Sequence, residues 1–293
     1  MLSSRISNRA TDLTPKAPVS SRGTSESRPI AHGDGWRIFD NVCTYGPRDR
    51  PFEQRFLSMS ISVVLSGSFV YRSERGSSFL SAGGLLLGSF GHAFECSHEH
   101  STGDRCLSFQ FEPELFERIA HDRGARSRLD RDWLPPLRAL APLIARSKMA
   151  LATTSARKDL LEEIAFELAG TVIGIGGDAR PEARGIATRD AGRIARVLRQ
   201  LESSSQPATL AELARTAGLS RYHFLRTFKR VIGITPHQWL LRARLRDAAQ
   251  RLVATREPIT EIALDVGFDD LSNFIRSFRA EFGVSPRHYR ASG

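Results

Sequence analysis

An α+β chain in two unlike parts is predicted, a small antiparallel β-barrel with attached helices followed by an all-α region, and three observations predict it. Residues 36–112 alternate apolar and polar positions between Gly- and Ser-rich turns, the period of a half-buried strand. After Phe111 the spacing lengthens to that of an amphipathic helix. Towards the C-terminus one helical pattern is written twice, as "LARTAGLSRYHFLRTFKRVIGITPHQW" and again as "IALDVGFDDLSNFIRSFRAEFGVSPRHYR". At 293 residues the chain can hold two cores, since single domains cluster at roughly 100–200 residues.

Residues 1–30 are rich in Ser and Arg and poor in large apolar side chains, so they read as a disordered tail. They lack the apolar core of a secretory signal, and Asp12, Glu26, Pro15 and Pro18 argue against an amphipathic transit helix. Residues 31–175 form the first domain. There "LSMSISVVLSGSFVYRS" places Leu57, Met59, Ile61 and Val63 on one strand face, "ERGSSF" turns the chain, and "LSAGGLLLGSFGHAFECS" keeps the same short beat. Several short strands with Gly-rich turns point to a barrel or sandwich. "EPELFERIAHDRG" then sets Leu115, Phe116 and Ile119 on one helix face. "SARKDLLEEIAFELAGTVIGI" does the same with Leu160, Leu161, Ile164, Leu168 and Val172, a stripe suited either to a dimer contact or to its own domain's core. "GIGGDARPEARG" combines Gly, Pro and charge as a linker does, which puts the boundary at residues 176–187.

Charge is placed unevenly. The chain has 42 Lys and Arg against 32 Asp and Glu, a net of +10. From Gly185 to Gly293 there are 18 against 10, so +8 of that excess lies in the last third. A basic C-terminal domain implies a polyanion partner, most commonly nucleic acid. No run approaches the ~20 apolar residues of a membrane span. Three cysteines are too few for a disulfide framework in a chain of this size, which fits a reducing cytoplasm.

Residues 188–293 read as helix throughout. "TRDAGRIARVLRQLESS" turns Ile194, Val197, Leu198 and Leu201 inward. Thr209 and Glu212 then make a T-x-x-E capping box, Gly218 permits a left-handed turn, and Ser220 caps the following helix. That is a helix-turn-helix, whose second helix enters the DNA major groove. The second copy aligns at an offset of 49 up to the pair Ser220 and Asp269, and at 50 from Phe224 and Phe274 onward. One extra residue is therefore expected at the start of the second recognition helix. Between the copies "PHQWLLRARLRDAAQRLVAT" reads as one helix. Its 20 residues would span ~30 Å, close to the ~34 Å of one DNA turn.

The "A-x-x-x-G-x-S" start, the "FLRTFKR" helix with its following "G-x-TP", the "RLRDAAQRL" helix and the closing "GF-x-D-x-SNFIRSFR-x-x-FGVSP" resemble the AraC/XylS family of bacterial transcription regulators over about the last 100 residues. The resemblance implies a pair of helix-turn-helix units joined by a long helix. It implies that Arg221, Tyr222, Leu225 and Arg226 of the first unit face DNA, and Leu271, Ser272, Asn273, Ile275 and Arg276 of the second. Arginine pairs bidentately with guanine and asparagine with adenine, while Leu225 departs from a polar expectation and can meet a thymine methyl or simply pack. Lys229, Arg230 and Arg279 read as phosphate contacts or solvated charge. Phe224, Phe228, Phe274 and Phe278 read as core, and Asp269 and Asp270 as helix caps. Partners implied are double-stranded promoter DNA, RNA polymerase, a small-molecule effector and a second copy of the chain.

The resemblance also implies a cupin-like N-terminal effector domain, to which "SAGGLLLGSFGHAF" is similar. The His-x-His plus Glu pattern of metal-dependent cupin enzymes is missing, and no triad, phosphate loop or carboxylate pair can be assigned, so no enzyme is expected. The competing reading is a cupin-like metal-binding enzyme, or a DNA-repair protein, fused to a DNA-binding module. In "HAFECSHEHSTGDRC" an extended Phe94–His100 would put Cys96, His98 and His100 on one face with Cys106 on the facing strand. Two Cys and two His suit zinc, whereas buried cysteines and hydrogen-bonded strand histidines are the plainer reading.

Overall fold

The computed structural model describes residues 23–152, 158–176, 185–203 and 208–292. Its strands are β1 (Ser25–Gly33), β2 (Trp36–Cys43), β3 (Glu53–Arg55), β4 (Met59–Ser73), β5 (Gly76–Ser81), β6 (Leu85–Gly88), β7 (Ala93–Ser97), β8 (Asp104–Phe111) and β9 (Trp133–Leu134). β4 organises them because it is apolar on both faces. Met59, Ile61, Val63 and Leu65 enter one core, and Val64, Phe69 and Tyr71 enter another. Its first half pairs with β6 and β8 and its second half with β5 and β7. A bulge between Val64 and Ser66 lets one strand serve both layers.

Every pairing is antiparallel, as the alternation predicts. The order β1-β2-β8-β4-β6-β9 does not return on itself, so among the described residues the expected closed barrel is replaced by a bent, open sheet. Two further expectations shift. Residues 1–22 lie outside the described residues, and the tail expected through residue 30 gives way at Ser25 to β1, which pairs with β2 from Ser25 and Cys43 to Gly33 and Trp36. Leu57 precedes β4 and is exposed, while Met59, Ile61 and Val63 are buried.

α1 (Pro113–Asp122), α2 (Ala141–Ala152) and α3 (Lys158–Gly176) close the larger core. Leu115, Phe116 and Ile119 of α1 and Leu161, Ile164, Leu168 and Val172 of α3 pack with Trp36 and Phe109 of the sheet, with Leu160 at the edge. The Trp36 indole is satisfied within that core, donating to Glu162 Oε1 at 2.9 Å. The α3 stripe is thus used inside its own domain. The linker expected at 176–187 falls mostly at 177–184, outside the described residues.

The C-terminal part comprises α4 (Thr188–Ser203), α5 (Leu210–Ala217), α6 (Arg221–Ile232), α7 (Pro236–Ala254), α8 (Ile259–Asp265), α9 (Leu271–Phe282) and α10 (Pro286–Ser292). Phe224 and Phe228 are completely buried with Ile194, Val197 and Leu213, and Trp239 of α7 joins them. Phe274, Phe278 and Phe282 fill a second core with Leu245, Leu252 and Ile262. Each core also takes residues from the N-terminal part: Val70 and Phe79 enter the first, Ala141 and Ala145 the second. Arg246 is buried between the parts, donating to the Ala82 carbonyl at 3.4 Å, and Arg242 bonds the Pro136 carbonyl while pairing with Glu281 at 3.4 Å.

Candidate nucleic-acid interface

Both recognition helices are built the same way from the sequence upward. The Thr209–Glu212 box starts α5, and Gly218, at φ +64°, ends it in the left-handed conformation that a side chain disfavours. Ser220 then accepts from the His223 backbone N–H and begins α6. In the second unit the Phe268 N–H bonds the Ala263 carbonyl at 3.0 Å, just as Leu219 bonds Ala214 at 2.9 Å. The cap of α9, however, is Asp270, which accepts from the Asn273 N–H at 2.7 Å. Asp270, and not Asp269, is therefore the partner of Ser220. The extra residue lies in the turn, and the two recognition helices have 12 residues each.

Equal helices present equivalent positions to solvent. Leu225 and Ile275 are each 38% exposed, and Arg226 and Arg276 follow them on the open face. Tyr222 is 65% exposed, and the Arg226 guanidinium lies 5.7 Å from its ring centroid, a cation–π contact that holds both side chains on that face. Ser272 and Asn273 are exposed on α9, and Leu271 is half-buried against the second core. Arg221, Lys229, Arg276 and Arg279 are exposed and enter no ion pair among the described residues. Arg230 is instead tied to Asp190 of α4. α7 spans 19 residues, the expected stretch less its C-cap Thr255, and Arg244 from it braces the second turn by donating to the Gly267 carbonyl at 2.8 Å.

The Cys/His segment folds differently from expectation. β7 ends at Ser97, so His98 and His100 do not continue its alternation. His98 turns inward and is buried, with Nε2 2.6 Å from Asp104 Oδ1 and Nδ1 3.9 Å from Cys43 Sγ. His100 turns away and bonds the Thr188 carbonyl at 3.1 Å. Among the described residues the expected quartet of Cys96, His98, His100 and Cys106 is thus not assembled, and His98 is grouped instead with Cys43 and Asp104. Cys106 Sγ lies 3.1 Å from Asp104 Oδ2. Burial first, and the Asp104 carboxylate second, push the Cys43 thiol up to about 12 and raise Cys106 in the same way. The Cys96 residue is half-buried while its sulfur is fully desolvated, which raises that thiol too.

Two helix-turn-helix units on one shared helix, with basic outer faces, define a DNA-binding domain of the double helix-turn-helix class. Residues 213–292 match a family model described as a helix-turn-helix domain. The probable transcriptional regulator LumQ of Photobacterium leiognathi is 42% identical over 83 residues, 28% of this chain and 33% of that protein. The virulence regulon transcriptional activator VirF of Yersinia enterocolitica is 27% identical over 213 residues, 71% of this chain and 69% of that protein. Among solved structures, an AraC-type DNA-binding domain protein from Chromobacterium violaceum is 30% identical with a TM-score of 0.33, covering 34% of this chain and 90% of that one. LumQ and other relatives matched over this domain alone are spanned for 27 to 62% of their length. Over its C-terminal domain the chain is thus similar to helix-turn-helix transcription regulators.

Proposed function

We propose that the protein is a one-component transcription regulator that grips promoter DNA with both helix-turn-helix units and answers to a small effector bound by its N-terminal part. The observation that carries this reading is the matched pair of exposed faces on α6 and α9, held by the ~28 Å rod of α7. In it Arg226 and Arg276 pair with guanine, and Ser272 and Asn273 with base edges. Leu225 and Ile275 meet thymine methyls. Arg221, Tyr222, Lys229 and Arg279 position the helices on the backbone, Leu271 opens α9 at the DNA-facing side while packing on the second core, and Arg230 reaches phosphate only by leaving Asp190.

The bent N-terminal sheet, cupin-like but open, serves as the sensing module, not as an enzyme. A homodimer would use a surface other than the α3 stripe, which is spent in the core. RNA polymerase is the partner through which an activator of this kind acts, and the cytoplasm its setting. Among the described residues no helix is long and apolar enough to cross a membrane. Capture of sheared genomic DNA by the full-length protein, followed by sequencing, tests the reading. Discrete fragments upstream of genes should be enriched, and the Arg226→Ala, Arg276→Ala double variant should lose them. Wild-type enrichment no better than for random fragments would overturn it.

A further inference from the structure

We propose that Cys43, His98 and Asp104 form a binding site for a thiophilic divalent cation of the zinc class. Cys43 lies directly opposite Asp104 in the β2–β8 ladder, and Cys106 is two residues further along β8, so all three share one face. The site is closed from behind by backbone. A Cβ on Gly103 would lie 2.3 Å from the Cys43 carbonyl oxygen, so only glycine lets the two strands approach this closely. One ligand atom from each of Cys43, His98 and Asp104 lies within 4.8 Å of the others.

The distances are those of a hydrogen-bonded cluster that an ion can enter with little movement. Cys43 Sγ and His98 Nδ1 are 3.9 Å apart. A tetrahedral ion with Zn–S of ~2.3 Å and Zn–N of ~2.0–2.1 Å holds its sulfur and nitrogen about 3.6 Å apart, so a shift of a few tenths of an ångström completes the bridge. Asp104 Oδ1, 2.6 Å from Nε2, takes the proton-bearing side of the ring and leaves the Nδ1 lone pair facing Cys43. This is the carboxylate–imidazole–metal order found around zinc. Cys106 Sγ contacts Asp104 Oδ2 at 3.1 Å and stands outside the group of three, and sulfur and imidazole donors select zinc over magnesium or calcium.

The site also has an outlet. His98 and Asp104 bound the turn that carries His100, and His100 holds the first residue of α4 through the Thr188 carbonyl while its own carbonyl accepts from Arg199. An ion that tightens this turn therefore acts on the first helix of the DNA-binding domain, a step that rests on the regulator reading as the metal site itself does not.

The test uses metal-stripped full-length protein titrated with cobalt(II), read by its thiolate charge-transfer absorption, and then with zinc by competition. Wild-type protein should take up one equivalent with that absorption. Cys43→Ser and His98→Gln should abolish the absorption, and Asp104→Asn should weaken zinc binding about 10- to 100-fold. His100→Gln should bind as wild type does. No saturable uptake by the wild type, or equal loss in His100→Gln, overturns the site, and the wild-type spectrum decides even where a variant fails to fold. Zinc should change wild-type DNA affinity but not that of His100→Gln. An unchanged wild-type affinity overturns the coupling alone, and no DNA binding in either state overturns the regulator reading instead.

Discussion

In the first unit Gly218 ends α5 and Ser220 caps α6 two residues later; in the second, Gly267 is followed by Phe268, Asp269 and the cap Asp270. The helices beyond those caps match residue for residue at the positions of Leu225 and Ile275, Arg226 and Arg276, and Phe228 and Phe278. Their approaches differ in charge as well as length. Arg221 opens α6, whereas two aspartates precede α9 and Leu271 opens it. On the proposed reading, phosphate grip would be concentrated at the start of the first unit. The second would rely on Ser272, Asn273 and Arg276, groups better suited to base edges than to non-specific attraction.

The comparison can be broken at three levels. Phe224→Ala and Phe274→Ala each empty a fully buried ring from a separate core, so each should cost about 3–5 kcal/mol in denaturant unfolding of the full chain. A loss under 1 kcal/mol at either site would mean that unit does not depend on its aromatic core. At the surface, Arg276→Ala should weaken binding to a selected site by about 1–3 kcal/mol and binding to random duplex by less. Arg221→Ala should weaken both alike, and the reverse pattern would exchange the roles of the two units. Smallest is the cap. Ser220→Ala and Asp270→Ala should each cost about 1 kcal/mol, whereas Asp269→Ala should cost little, and a larger loss at Asp269 would return the extra residue to the helix start.

Local chemistry was legible in the sequence, and long-range pairing was not. The Thr209–Glu212 box, the Ser220 cap and the phenylalanine cores follow from spacing within one or two helical turns. A constant offset of 49 pairs Ser220 with Asp269 and so places the extra residue one position late, while a hydrogen bond from the Asn273 N–H to Asp270 decides the cap. β1 carries almost no apolar signal, and only its ladder with β2 makes it a strand. Cys43 meets His98 across 55 positions of chain, a separation that no motif spacing encodes. Nor does the spacing within α7 reveal that Arg246 is buried. The fold buries Arg246 among groups of the N-terminal part, and its desolvation lowers that guanidinium to about 10.

Methylation interference on a captured fragment asks the central question most directly, because it reports which guanines must remain free in the major groove. Two clusters of interfering guanines about one helical turn, ~10 base pairs, apart on one DNA face are expected, one lost in Arg226→Ala and the other in Arg276→Ala. A single cluster, unchanged in one of these variants, would contradict the account of two units reading adjacent grooves.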